Sequence, residues 1–339
     1  MNRVVQEDVN DFVKHFEFRD EIKDCSFLVT GATGLIGSSM IRCLLALNVN
    51  LKIIAPVRSI EKAKAVFDDD QFEKIHFIEC DFVNYAYQEF DSIDYIIHCA
   101  APTSINFFSE HPVETFTTIL DGTKTVLNLS RKKDIKSMVC LSSLEVYGEV
   151  IDDSVSVKEC VQGYLDPVAI RSCYPMAKRA AENLCSLYAT EYKVKVKTAR
   201  LTQTTGAGVS ADDNRILIQF ARKAAKGEDI VLHTTGTSAR PYSYTVDAVS
   251  AILYILLKGV DGQCYNVANE STYASARELA EYVQKNVNPK IQIKYELAGN
   301  MGYAPPTKLR LNTEKLMSLG WRPRYGLKEI FERLVEYLS

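Results

Sequence analysis

Tyr174 and Lys178 stand one helical turn apart in Arg171-Ser172-Cys173-Tyr174-Pro175-Met176-Ala177-Lys178-Arg179, which puts a phenol and an ammonium on one face of a helix. An ammonium beside a phenol lowers the phenol's pKa, so the pair reads as a proton-exchanging unit for near-neutral pH. Two further groups belong with it. In Leu141-Ser142-Ser143-Leu144-Glu145-Val146-Tyr147-Gly148 an apolar run ends on polar residues. That is the pattern of a strand delivering side chains to the carboxyl edge of a sheet, where α/β ligands bind. Ser143 can orient a substrate hydroxyl there, and Glu145 can serve as a second base or as a contact to substrate. The expected catalytic set is Ser143, Glu145, Tyr174 and Lys178.

Such a set needs a sheet edge and a cofactor beside it, and residues 27–37 announce both. Phe27-Leu28-Val29-Thr30 is an apolar strand, Gly31-Ala32-Thr33-Gly34-Leu35-Ile36-Gly37 a glycine loop, and Met40, Ile41, Leu44 and Leu45 begin a helical periodicity. Strand, tight turn and helix opening are the context of a dinucleotide fingerprint, here spaced G-x-x-G-x-x-G. Gly31 and Gly34 are expected to turn sharply and let backbone approach a pyrophosphate, which then meets the amides of Leu35 and Ile36 at the helix N-terminus. Gly37 is expected to let the helix pack close to the strand. Where an acid at the end of the second strand would bind the ribose of NAD, the chain has Ala55-Pro56-Val57-Arg58. Arg58 could meet the 2′-phosphate of NADP, so the cofactor reads as NAD(P). Asp81, followed by Phe82, is placed for the adenine amino group, and the small residues Ala100, Ala101 and Pro102 let backbone pass close to the cofactor.

Further strands are expected at residues 51–57, 75–80, 94–99, 137–141 and 194–199, with helices between them, notably at 112–132 and 174–191. Alternation of this kind gives an α/β fold, a Rossmann-type doubly wound parallel sheet. Residues 1–24 read as a helical extension, with Val9, Phe12, Val13 and Phe16 at helical spacing, and 25–200 as the dinucleotide-binding domain. Beyond residue 200 the alternation breaks at Gly206, Gly208, Gly227, Gly236, Pro241, Pro289, Gly299, Gly302 and Pro305-Pro306. Residues 201–339 are expected to form mainly a smaller substrate-binding lobe, with 263–268 returning to the main sheet and a last helix at 327–338.

The 339 residues are 47% hydrophobic with a formal charge of -3, ample for a buried core and without the basic excess that nucleic acid or anionic lipid requires. The nine cysteines are scattered singly, with no C-x-x-C; Cys25, Cys43, Cys99, Cys140 and Cys185 lie in apolar segments. They read as reduced thiols of a cytoplasmic protein rather than a disulfide frame or a metal site. The polar start of the chain is no signal peptide, and no apolar run approaches membrane-spanning length.

With these motifs in hand, the chain from about Cys25 onward resembles the extended short-chain dehydrogenase/reductases of the nucleotide-sugar epimerase/dehydratase family. Arg200-Leu201-Thr202-Gln203-Thr204-Thr205-Gly206, Arg240-Pro241-Tyr242-Ser243-Tyr244-Thr245-Val246-Asp247, Tyr265-Asn266-Val267-Ala268 and Leu319-Gly320-Trp321-Arg322-Pro323 fit it. Within that family the chain is most similar to UDP-glucuronate decarboxylases, through Arg171-Ser172-Cys173-Tyr174, the stretch from His98 to Thr123, the Ser143-x-Glu145-Val146-Tyr147-Gly148 pattern and Asp212-Asp213-Asn214-Arg215. The resemblance implies transient oxidation at C4 of a nucleotide-linked sugar, tightly bound NAD, a homodimer, a ribose contact from Lys178, and Thr202 at the cofactor. It also implies substrate contacts from Thr103, Ser104, Ser143, Gln203, Arg215 and Arg240, with Arg240 gripping the diphosphate. There are departures. Leu144 stands where sugar 4,6-dehydratases carry an aspartic acid, Ile119 and Gln203 replace asparagines, Ile105 replaces a proline, and Arg58 replaces the acid of NAD-binding members. Alternative readings are an NADPH-dependent reductase of a keto-sugar or other carbonyl compound, and a non-catalytic dinucleotide-binding protein.

Overall fold

Cys25–Thr30 (β1) is buried at every position, as a strand must be when parallel neighbours flank it and helices cover both faces. The structure, a computed structural model, describes residues 1–83, 92–297 and 307–339; the expected breaks at Gly299, Gly302 and Pro305-Pro306 lie outside them. Around β1 a seven-stranded sheet assembles from β2 (Leu51–Val57), β3 (Ile75–Glu79), β4 (Tyr95–His98), β5 (Ser137–Ser143), β6 (Val196–Leu201) and β10 (Cys264–Val267), in the order β10-β6-β5-β4-β1-β2-β3. All its pairings are parallel. The order reverses direction at β1 and β4, the crevice where open α/β sheets take their ligands.

One face carries α7 (Pro112–Lys133) and α8 (Cys173–Tyr192), packed on Leu28, Ile96, Met138, Cys140 and Val196. Pro112 opens α7, and Arg131, Lys132 and Lys133 complement the negative end of its dipole. The other face carries α3 (Leu35–Ala46) and α10 (Thr245–Lys258) over Phe27, Val29, Ile97 and Val139. Nearly the whole girth of α10 is buried, from Val246 to Leu256, because it is roofed by α1 (Arg3–His15) as well as floored by β5 and β6. This helix therefore packs on the seven-stranded sheet, although its sequence follows residue 200. On the outer edge lie α4 (Ile60–Val66), α5 (Asp69–Glu73) and, beyond β4, α6 (Ile105–Glu110).

The second sheet has three strands, β7 (Gln203–Thr205), β9 (Ala239–Tyr244) and β11 (Asn269–Ser275), with β9 central. A parallel pair, β8 (Ile230–Leu232) and β12 (Ile293–Tyr295), stands beside α9 (Ile216–Lys226) and α11 (Ala276–Asn286). Among the described residues, α12 (Glu314–Met317) and α13 (Leu327–Leu338) follow.

The N-terminal residues form α1 (Arg3–His15) and a short α2 (Arg19–Ile22). Val4, Val5, Val9 and Phe12 make the buried stripe of α1. Its polar side chains reach far along the chain. Asp8 accepts hydrogen bonds from the Tyr244 hydroxyl and Arg333 Nη1, both at 2.7 Å. Asp11 accepts from Arg324 Nη2 and the Tyr325 hydroxyl, both at 2.6 Å, and Arg3 Nε donates to Glu336 at 2.8 Å.

Candidate active site

At the crevice, Gly31 has φ +68°, and a Cβ there would lie 2.9 Å from the backbone nitrogen of Ala100. Conformation and space therefore both require glycine. Gly34, by contrast, is extended (φ -83°, ψ 169°), a shape any residue adopts, so the sharp turn belongs to Gly31 alone. Gly37 meets the loop rather than the strand: its Cβ would stand 2.3 Å from the Gly31 carbonyl oxygen. Gly34 caps α3 without a side chain, so no cap covers the first-turn amides of Leu35, Ile36 and Gly37. A cradle without side chains at a helix N-terminus fits a dinucleotide pyrophosphate.

The rest of the crevice is set by the ends of β2, β3 and β4. Arg58 is exposed just past β2. The neighbouring Ser59 is occupied as the cap of α4, accepting the Lys62 amide at 3.1 Å. Asp81 is exposed past β3, and the Phe82 ring stacks on His98 at 5.6 Å. His98 is buried and hydrogen-bonded to Thr30 Oγ1 at 2.8 Å, and that oxygen also accepts the Ala100 amide at 3.2 Å. Burial, seconded by the Lys178 charge, pushes His98 down to about 3, so it is a neutral strut holding Ala100 against Gly31. Ala101 and Pro102 follow half-buried, and Thr103 is exposed. Ser104 caps α6 through the Phe107 amide.

The four expected catalytic residues meet where β5 ends against α8. Ser143 closes β5 and caps a single 3-10 turn, Leu144–Tyr147, by accepting the Glu145 amide at 3.2 Å. Tyr174 lies in the first turn of α8, buried, its ring stacked on Phe108 with centroids 4.5 Å apart. Lys178 Nζ donates to the Leu141 carbonyl at 2.8 Å and sits 5.8 Å from the Tyr174 ring centroid. Burial lowers the Lys178 ammonium to about 8. Contrary to expectation, the Tyr174 phenol is raised. Burial acts first and the Glu145 charge second, against a hydrogen bond with Ser143 and the charge of Arg171. Glu145 is held by Arg171, whose Nη2 donates to both carboxylate oxygens at 3.0 and 2.9 Å. Arg171 and Phe108 thus join the site. Arg171 was visible in the motif before Tyr174, but no local pattern points to Phe108.

Beneath the site a buried ion pair anchors α8. Arg200 on β6 donates from Nε to Glu182 Oε1 at 2.9 Å and from Nη2 to Oε2 at 2.6 Å. Its Nη1 reaches the Tyr147 hydroxyl at 3.0 Å and the Glu159 carbonyl at 2.8 Å. Tyr147 in turn donates to Asn266 Oδ1 at 2.7 Å. Neither Glu182 nor Arg200 carries a local signal in the sequence for this role.

Across the crevice Gln203 pairs with Tyr242, two residues along β9 from Arg240. Arg240 is half-buried and makes no ion pair among the described residues. The hydroxyl of Thr202 donates to the Pro241 carbonyl, tying β6 to β9. Arg215 is turned onto its own loop, with Nη2 2.6 Å from Asp213 Oδ2 and Nη1 on the Thr204 carbonyl.

The sequence profile of the NAD dependent epimerase/dehydratase family matches residues 27–268. The chain belongs to this family. UDP-glucuronic acid decarboxylase 5 of Arabidopsis thaliana is 30% identical over 305 residues, covering 89% of this chain and 86% of that protein. Among solved structures, UDP-glucose 4-epimerase of Thermus thermophilus in complex with NAD has a TM-score of 0.77 at 23% identity, covering 92% of this chain and 98% of that one. RMD from Pseudomonas aeruginosa, complexed with NADPH, has a TM-score of 0.74 at 20% identity, with coverage of 93% and 98%. These two likenesses are of fold, and the family's cofactor is NAD(P). No helix among the described residues is long and apolar enough to cross a membrane.

Proposed function

We propose that this epimerase/dehydratase-family enzyme acts on a UDP-linked uronic acid, oxidising C4 transiently and then removing the carboxylate or inverting a centre. The observation that carries the reading is the meeting of Ser143, Glu145, Tyr174 and Lys178 at the sheet edge beside the Gly31 cradle. The relatives named as UDP-glucuronic acid decarboxylases support the choice of substrate. Tyr174, raised by burial, must first give up its own phenol proton; the phenolate then takes the proton of the C4 hydroxyl, which Ser143 orients. Lys178, fixed to the Leu141 carbonyl, carries a charge below about pH 8 that offsets the phenolate. A bound nicotinamide supplies the hydride acceptor for C4. Once C4 is a ketone, the neighbouring carboxylate can leave as carbon dioxide, its bonding electrons passing toward the ketone, and C5 must then be protonated. Glu145 is the acid-base group beside Tyr174 for that step. Leu144, buried against Val146, Leu309 and Leu311, offers no acid for dehydration.

The test is to incubate the protein with UDP-glucuronate and follow products by mass spectrometry, alongside Tyr174→Phe. The variant is expected to keep its bound nucleotide and lose turnover by about 10²- to 10⁴-fold. Undiminished turnover in Tyr174→Phe rejects the assignment. Arg58, exposed where NAD-binding members carry an acid, favours a second reading, a net reductase using NADPH; binding NADPH no more tightly than NADH removes that support. We further infer a homodimer built on α7 and α8, which expose Val113 and Leu187, in a cytoplasmic setting that suits nine free cysteines. A monomer by light scattering refutes the dimer, and fractionation away from the cytosol refutes the setting.

A further inference from the structure

Two Arg–Glu pairs hold α8, one at its start and one near its middle, and they differ in kind. Arg200 and Glu182 are 5% and 8% exposed, a fully desolvated staple with every arm of the guanidinium engaged. Arg171 and Glu145 are 38% and 34% exposed, and an ion pair so open to water contributes little to stability. Only Nη2 of Arg171 is engaged; Nε and Nη1 make no hydrogen bond among the described residues. The guanidinium carbon lies 5.0 Å from the Phe108 ring centroid, and Phe108 is the ring on which Tyr174 stacks. Arg171 is therefore a half-open cation sharing an aromatic partner with the residue proposed to meet C4.

A carboxylate on C5 is separated from the C4 hydroxyl by two carbon atoms, so it must lie within a few ångströms of whatever binds that hydroxyl. Lys178 is directed at the Leu141 carbonyl, and Arg240 stands across the crevice on β9. Among the described residues, Arg171 is the cation on the Tyr174 side with donors available, and a guanidinium can hold two carboxylates on different edges.

We propose that Arg171 is the specificity-determining residue of this site, receiving the sugar carboxylate on the guanidinium edge that Glu145 leaves open. The inference rests on the proposed function. Arg171 thereby selects uronic acids over neutral hexoses and keeps Glu145 beside the carbon that loses the carboxylate.

The experiment measures binding of UDP-glucuronate and UDP-glucose to the cofactor-loaded protein, with KM and kcat for whichever turns over, in wild type, Arg171→Gln and Arg171→Lys. Wild type should prefer the acid. Arg171→Gln should weaken UDP-glucuronate about 10- to 100-fold while UDP-glucose stays within about threefold. Arg171→Lys, a point charge without the fork, should fall between. Equal losses for both sugars, no loss for either, or a wild type without preference for the acid would each overturn the inference. A wild type that decarboxylates UDP-glucuronate with an indifferent Arg171→Gln removes this inference and leaves the proposed function standing. A wild type that turns over neither uronic acid nor any other nucleotide sugar removes both.

Discussion

Replacing Arg200 by methionine should destabilise the fold by about 3–5 kcal/mol, the range for breaking one partner out of a buried ion pair. Arg200 and Glu182 are almost wholly shut off from water, so the carboxylate cannot be rehydrated in place. Its remaining donor among the described residues is the Cys264 thiol, 3.6 Å away, and the Glu159 carbonyl loses its 2.8 Å partner at the same time. Urea unfolding followed by circular dichroism measures the loss directly. A thermal melt should show a fall of about 6–20 °C, from about 2–4 °C per kcal/mol for a domain of this scale. The double variant Arg200→Met/Glu182→Leu is the decisive companion. With the stranded charge gone, it should recover at least half of the deficit, since apolar replacement of both partners is often close to neutral. A loss below about 1 kcal/mol in the single variant, or a double variant less stable than Arg200→Met alone, would refute the argument from desolvation. Turnover should fall with stability, because Glu182 lies about two turns along α8 from Tyr174 and fixes the helix that presents it.

Burial raises Asp247 from its ordinary 3.8 to about 7, despite backbone amides of Arg324 and Tyr325 that favour the charged form. Between about pH 4 and 7 the folded state thus binds more protons than the unfolded one at this residue. Its contribution to stability falls as pH rises through that window and levels off above it, by at most about 1.4 kcal/mol per pH unit. Asp247→Asn should flatten that part of the profile, and urea midpoints at pH 5 to 8 that run parallel in the two proteins would contradict it. Gly37→Ala should weaken dinucleotide binding at least about tenfold, because a Cβ 2.3 Å from the Gly31 carbonyl must push the loop away; titration calorimetry showing unchanged affinity would count against the close approach.

How much of this could be read beforehand follows from how local each signal is. The apolar run of β1, the glycine loop and the one-turn spacing of Tyr174 and Lys178 are contiguous patterns, so they identify elements and candidate chemistry directly. The sign of the Tyr174 shift depends on burial under Phe108 and on Glu145 just past the end of β5, which no spacing within residues 171–179 contains. Likewise the Glu182–Arg200 and Glu145–Arg171 pairs form only when α8 is laid across the ends of β5 and β6. Gly37 was recognisable as a packing glycine, but its partner, a carbonyl within its own loop, depends on how that loop turns back. The apolar girth of α10 is a sequence property, and it signals burial on several sides. What it does not carry is which sheet supplies the floor.

The clasp between α1 and the last helices has a consequence for the order in which the molecule comes into being. Asp8 and Arg333 are 325 positions apart, so a ribosome moving at about 5–20 residues per second makes the acid roughly 16–65 s before its partner. Through that interval the stripe of Val4, Val5, Val9 and Phe12 has emerged without the α13 surface that helps to cover it. Helix α1 is thus made long before its partner on α13, and its full seating waits on that later helix.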